Sequence, residues 1–213
     1  MANWLNTAFY NFDRAFFFGV NSLAKTAGSF FTPFCEFISF FGKGGIFLII
    51  LSIVLMLFKN SRRAGATMLL AIGVGALFTN VILKNVIARP RPYTTAEYNG
   101  FWQTAGAHTE KELSFPSGHA TVATASMTAL FLTLNKKWSS LCFLFTLFTA
   151  FARVYLVVHY ATDVIAGILV GAGAAVIAYF IVKKLFNFFG SKENKACAFI
   201  LNADVLNLLN KKK

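Results

Sequence analysis

Cysteine and acidic residues are both scarce in this chain. The three cysteines, Cys35, Cys142 and Cys197, are odd in number and sit mostly among apolar residues. That excludes a disulfide framework or a thiolate metal set and leaves them as small hydrophobes. Asp and Glu together number 8 against 20 Lys and Arg, and no grouping of them suggests a metal cage. A basic region ahead of the first apolar stretch is also missing. Asp13 and Arg14 interrupt that stretch, so no cleavable signal peptide is expected.

What the chain has instead is hydrocarbon. Of its 213 residues 57% are hydrophobic, 26 are Phe, and the mean hydropathy is +0.62. Five runs suit transmembrane helices: residues 44–58 with their flanks, 64–83, 117–135, 138–158 and 164–182. About 20 helical residues cross the hydrocarbon of a bilayer. The expectation is therefore one all-α, polytopic transmembrane bundle of about five spans. Its divisions are an N-terminal segment over 1–43, a core over 44–184 and a basic tail over 185–213.

The net charge of +12 invites a nucleic-acid reading, but its placement opposes one. Lys59, Arg62 and Arg63 follow the first span, Lys136 and Lys137 separate the third from the fourth, and Lys183 and Lys184 follow the fifth. With alternating helices all three clusters fall on one side, which the positive-inside rule makes cytoplasmic. The tail ending at Lys211 to Lys213 joins them and faces anionic lipid heads. Membrane lipids are the expected surroundings, and no nucleic-acid partner is expected.

Within residues 1–43, Phe9, Phe12, Phe16, Val20, Leu23, Ala27 and Phe30 or Phe31 recur at helical spacing. Asp13, Arg14, Asn21, Ser22 and Lys25 take other faces. This pattern suits an amphipathic helix lying in the interface and broken near Pro33; a sixth, tilted span is the alternative. Gly167, Gly171 and Gly173 let the last span pack closely on a neighbour. The one long link, residues 88–115, lies opposite the basic clusters, and loops of that length are often functional.

Ionisable residues gather at the same non-cytoplasmic face. The second span leaves there through "KNVIARPRP", the third enters through "FPSGH", and the fourth leaves with "RVYLVVHYATD". Such residues at membrane depth are functional candidates. Lys84, Arg91 and Arg153 together suit a phosphate dianion, which arginine forks match well. Ser117 and Gly118 precede a helix, so their backbone N–H groups can face an anion. His119 and His159 can divide attack and proton transfer. If His159 and Asp163 are helical, their i, i+4 spacing shares a face, and the carboxylate can hold the imidazole tautomer. Duller explanations exist singly: Asp163 as a helix cap, Lys84 snorkelling from a helix end, His119 as structural, Pro90 and Pro92 as helix terminators. Convergence weakens them. His108, in the loop with Glu110 and Glu112, reads as solvated and receives no role.

These residues resemble the three-part signature of type-2 phosphatidic acid phosphatases, the membrane lipid phosphate phosphatases. Lys, six residues, Arg-Pro falls on Lys84, Arg91 and Pro92; Pro-Ser-Gly-His is Pro116 to His119. The third motif falls on Arg153, His159 and Asp163, with Ala152 where the family has serine. The resemblance implies a metal-free and cofactor-free hydrolase. It makes His159 the nucleophile forming a phosphohistidine, Asp163 its orienting partner and His119 the acid for the leaving group. Lys84, Arg91, Ser117, Gly118 and Arg153 then bind phosphate. Ala152 removes a supporting hydrogen bond, and Arg89, outside the motif spacing, is an auxiliary.

The resulting expectation is a bacterial cell-membrane enzyme with its site on the extracytoplasmic face, acting on a lipid phosphate or diphosphate. Undecaprenyl diphosphate is the first choice, ahead of phosphatidylglycerophosphate and phosphatidate. A non-catalytic anion transporter could use the same cations but has no need of the two histidines and the aspartate. A vanadium-dependent haloperoxidase shares a related anion cluster, yet those enzymes are soluble and five apolar spans oppose that assignment.

Overall fold

Runs of Phe, Leu and Ile with few charges give helices that are apolar nearly all round, and such helices need lipid on one side and one another on the other. The computed structural model describes residues 2–191 together with 201, 203 and 204, and every regular element among them is helical. In chain order these are α1 (Ala2–Ala8), α2 (Tyr10–Gly42), α3 (Ile46–Leu57), α4 (Arg62–Ala76), α5 (Lys84–Ile87), α6 (Ala96–Thr104), α7 (Gly118–Thr133), α8 (Lys136–Ser139), α9 (Phe143–Tyr155) and α10 (Ala161–Gly190). A π-helical stretch, Leu77–Leu83, joins α4 to α5 and makes them one long rod.

Four stretches among the described residues are long and apolar enough to cross a membrane: Tyr10–Leu57, Arg62–Thr94, Lys136–Tyr155 and Ala161–Gly190. The expected third span is α7, which at 16 residues falls short of that length. Its surroundings explain its small residues. α7 packs against α4, α9 and α10, and ten of its residues between Ala120 and Leu130 are buried. A helix enclosed by protein needs small residues for close packing more than it needs greasy ones for lipid.

Close packing has visible causes. A Cβ at Gly167 would lie 2.6 Å from the Ser117 carbonyl oxygen, and one at Gly171 would lie 2.4 Å from that of Thr121. Only glycine lets α10 approach the α7 backbone so closely. Gly173, grouped with them by spacing, has nothing within 4 Å and takes no part. It lies on a different face of the helix.

The N-terminal helix departs from the expected reading twice. α2 breaks at Ala27, which leaves helical backbone (φ −139°), while Pro33 sits inside the second part. Its polar residues also turn into protein and not to water: Asp13 and Asn21 are buried, whereas Phe9, Phe12, Phe16 and Phe30 face outward as an interfacial helix requires, with Val20 of that stripe buried. Apolar periodicity cannot tell lipid from protein, because both accept hydrocarbon equally well. Contacts trace the course of α2. Phe17 packs on Tyr98 and Tyr160, Thr32 bonds the Tyr155 hydroxyl at 2.9 Å, Glu36 pairs with His108 at 2.7 Å, and Gly42 abuts His119. Tyr155, His119 and Tyr160 lie where α9 ends and α7 and α10 begin, so α2 passes around that end of the bundle.

At the other end, Arg62 is buried, its guanidinium donating to the carbonyls of Met56 and Leu201, both at 2.9 Å. It is therefore more than a solvated topology charge. α10 runs unbroken to Gly190, past the boundary expected at 184. Cys197 and the Lys211 to Lys213 cluster lie outside the described residues.

Candidate active site

Helix ends deliver the site. The α4–α5 rod ends at Ala88 in left-handed backbone (φ 52°), and the extended Arg91 follows, fixed by Pro92. Ser117 caps α7, its hydroxyl accepting from the Ala120 N–H at 3.4 Å, which places His119 in the first turn. Arg153 occupies the last turn of α9 and Asp163 the first turn of α10.

His159 lies between these two helices in a turn, not on a helix as its spacing to Asp163 suggested. The turn includes Val157 at φ 55° and returns the His159 N–H to the Arg153 carbonyl at 3.2 Å. The pair still meets: His159 Nδ1 is 3.7 Å from Asp163 Oδ2. Arg91 Nη1 donates to His159 Nε2 at 2.9 Å, which leaves the ring proton on Nδ1, facing Asp163. Burial, with the cations of Arg91, Arg153 and Lys84 behind it, holds the imidazole well below its usual pKa and keeps it neutral.

The three cations converge as expected. Arg91 also donates to the carbonyls of Val158 and Glu112, both at 2.7 Å. Lys84 is buried, which excludes snorkelling, and it lies beside Gly118, whose Cβ would be 4.0 Å from Nζ. Arg153 is buried as well, and its Nε has no acceptor among the described residues. An incoming oxyanion would satisfy that donor. Ser117 contributes differently from expectation. Its backbone N–H donates to the Asp163 carbonyl at 3.0 Å, so this N–H is committed to joining α7 and α10 and does not face an anion.

Several site residues carried no sequence signal. Lys84 forms an ion pair with Glu112, and Arg153 one with Glu110 at 2.5 Å, so these loop carboxylates are not merely solvated. The Lys84 hydrogen bond holds the Glu112 carboxyl below the usual carboxylate range. His108 is exposed and pairs with Glu36. Asp163 acts both as a capping residue, accepting from the Tyr160 N–H at 3.0 Å, and as a site residue. Ser114 donates to its Oδ2 at 2.5 Å and Arg89 Nη1 to its Oδ1 at 2.6 Å. Arg89 is thus built into the site. Beside His119 a cavity of about 230 Å³ opens toward Lys43, Glu110 and Arg153.

A 28% identical relative, the undecaprenyl-diphosphatase of Sulfolobus acidocaldarius, aligns over 136 residues, 64% of this chain and 63% of the relative. This chain therefore spans a little under two thirds of that protein's length. Among solved structures, LpxE of Aquifex aeolicus superposes with a TM-score of 0.58 at 22% identity, covering 75% of this chain and 91% of its own. The PAP2-type phosphatidylglycerolphosphate phosphatase of Bacillus subtilis gives 0.55 at 21% identity, covering 89% and 98%. These two likenesses show the fold. The family model of the PAP2 superfamily matches residues 64–187, which contain all three motifs and more than half of the chain; the chain belongs to the PAP2 superfamily.

Proposed function

We propose that this protein is a lipid phosphate phosphatase that removes the terminal phosphate of a lipid diphosphate through a phosphohistidine, with undecaprenyl diphosphate as its substrate. The observation that carries the reading is His159 itself. Its unprotonated Nε2 points at the Arg91 guanidinium among three buried cations, while Nδ1 faces a buried carboxylate.

Lys84, Arg91 and Arg153 neutralise the terminal phosphate and hold phosphorus against Nε2. Attack forms the N–P bond as the P–O bond to the leaving group breaks, and Asp163 offsets the positive charge that develops on the ring. His119 gives the departing oxygen a proton, then takes one from the water that cleaves the N–P bond. The fixed cations supply the charge neutralisation, so no metal or cofactor is assigned. The cavity beside His119 lies on the leaving-group side, and Lys43 on its wall suits a leaving group that itself carries phosphate. That favours a diphosphate over phosphatidate, and the likeness to the Sulfolobus undecaprenyl-diphosphatase supports the same choice. The basic clusters opposite the site support catalysis on the extracytoplasmic face.

Purified protein assayed side by side on undecaprenyl diphosphate, phosphatidylglycerophosphate and phosphatidate tests the reading. The diphosphate should turn over fastest, with chelator present. His159→Gln should abolish turnover and phosphoenzyme while remaining folded and inserted. Substantial hydrolysis by that variant would sink the mechanism, and a faster monophosphate would sink the substrate assignment.

A further inference from the structure

Arg89 makes contacts that the proposed phosphate chemistry does not need. Its guanidinium is 1% exposed and satisfied on every nitrogen: Nε donates to Asn6 Oδ1 at 2.8 Å, Nη1 to Thr162 Oγ1 at 2.8 Å and Asp163 Oδ1 at 2.6 Å, and Nη2 to Asp13 Oδ2 at 2.9 Å. Its plane lies over the Tyr160 ring at 3.6 Å. Asp13 adds its own tie to the start of α10, accepting from the Thr162 N–H at 2.9 Å and the Thr162 hydroxyl at 2.8 Å. Asp13, 2% exposed, lies far outside the residues that the family model matches.

Two buried carboxylates therefore share one guanidinium. We infer that Asp13, on the N-terminal helix, is a positioning residue for the reaction: by claiming part of Arg89, it leaves Asp163 with negative charge to present to His159. A lone Arg89–Asp163 pair would neutralise itself. Asp13, Arg89 and Asp163 together carry one net negative charge, buried, and a buried charge is stable only beside an opposite one. The nearest place where positive charge arises is the His159 ring. With Nδ1 protonated and Nε2 bonded to phosphorus, that ring is cationic, and the trio supplies its counter-charge.

The inference rests on the phosphohistidine reading, so its test separates the two. The full chain in detergent would be assayed with p-nitrophenyl phosphate, reading the first-turnover release of nitrophenol, the steady-state constants and the pH profile. Other charges around His159 are Lys84, Arg91, Arg153, His119 and Asp163, with Glu110 and Glu112 behind the cations. Asp13→Asn leaves all of these in place, retains a side chain that can bond Arg89 and Thr162, and removes the charge. The first-turnover rate should fall about tenfold or more with KM changed less than about threefold, because the phosphate-binding cations do not touch Asp13. The field at His159 becomes more positive, so protonation is disfavoured. The acid limb of kcat/KM should move to lower pH by roughly half a unit or more. Asp13→Glu, which keeps the charge, should recover most of the rate and return the limb.

Equal loss in Asp13→Asn and Asp13→Glu with an unmoved pH limb would make Asp13 a structural staple and overturn the inference. Wild-type rates in Asp13→Asn would overturn it as well. His159→Gln run beside them guards the premise: if that variant still turns over, the phosphohistidine reading has failed, whatever Asp13 does.

Discussion

Two sets of ion pairs flank His159, and they differ in where the anion sits. On the Asp163 side every partner is buried: the Arg89, Asp13 and Asp163 side chains are 1%, 2% and 0% exposed. On the side of Lys84 and Arg153 the cations are buried, but their carboxylates reach water, with the Glu112 side chain 63% exposed and Glu110 32%. An anion that can return to solvent contributes little and leaves readily; one that cannot is a fixed part of the frame. The same chemical pair thus serves as scaffold on one side and as place-holder on the other. In the proposed reaction, Glu110 and Glu112 keep Lys84 and Arg153 partnered until a phosphate takes over.

The largest effect that could break this contrast is a loss of stability. Arg89→Ala strands two buried carboxylates, so unfolding in detergent should be easier by about 3–5 kcal/mol, as for other broken buried pairs. A loss below about 1 kcal/mol, the range of exposed pairs, would erase the distinction between the two sides. Removing the place-holders should act on binding instead. The Glu110→Gln and Glu112→Gln double variant frees both cations at small cost to stability, and vanadate should inhibit it about three- to tenfold more tightly, from two pairs of up to about 1 kcal/mol each. Unchanged or weaker inhibition would mean that the carboxylates help to build the seat.

The smallest effect concerns pH. Glu112 in the folded protein is held below the usual carboxylate range, so its pairing is fully present above that range and is lost only as pH falls through the depressed value. The ratio of vanadate affinities between Glu112→Gln and wild type should therefore stay flat from about pH 5.5 to 8, well above an ordinary Glu near 4.3. A ratio that drifts toward one inside that window would show that Lys84 does not hold Glu112.

Legibility in the sequence followed the distance over which each signal acts. The motif residues were readable because their chemistry is local: a lysine, two arginines, two histidines and an aspartate at set spacings in apolar surroundings announce themselves. The helical class was readable from run length alone. What stayed hidden depends on contacts between distant segments. Asp13 bonds Thr162 across 149 positions, and nothing in either segment names the other. The burial of Asp13 and Asn21 on α2 was hidden because periodicity reports a stripe but not whether water, lipid or protein covers each face. Gly173 repeats the small-residue pattern of Gly167 and Gly171, yet it points away from α7. The His159 turn was hidden for a related reason: apolar residues on both sides continue the helical pattern through it.

The enclosed character of α7 bears on how the molecule is made. Thr121 and Thr133 turn their hydroxyls back onto the carbonyls of Ser117 and Ala129, which hides them inside the helix itself. Thr124 and Ser126 have buried oxygens without a partner among the described residues, and they rely on the surrounding helices to keep lipid away. Of those helices α4 precedes α7 in synthesis, while α9 and α10 follow it. A translocon that released each span as it emerged would hand α7 to lipid with most of its covering still unmade. The covering of α7 is therefore complete only once Gly167 and Gly171 of α10 have left the ribosome and can close over it.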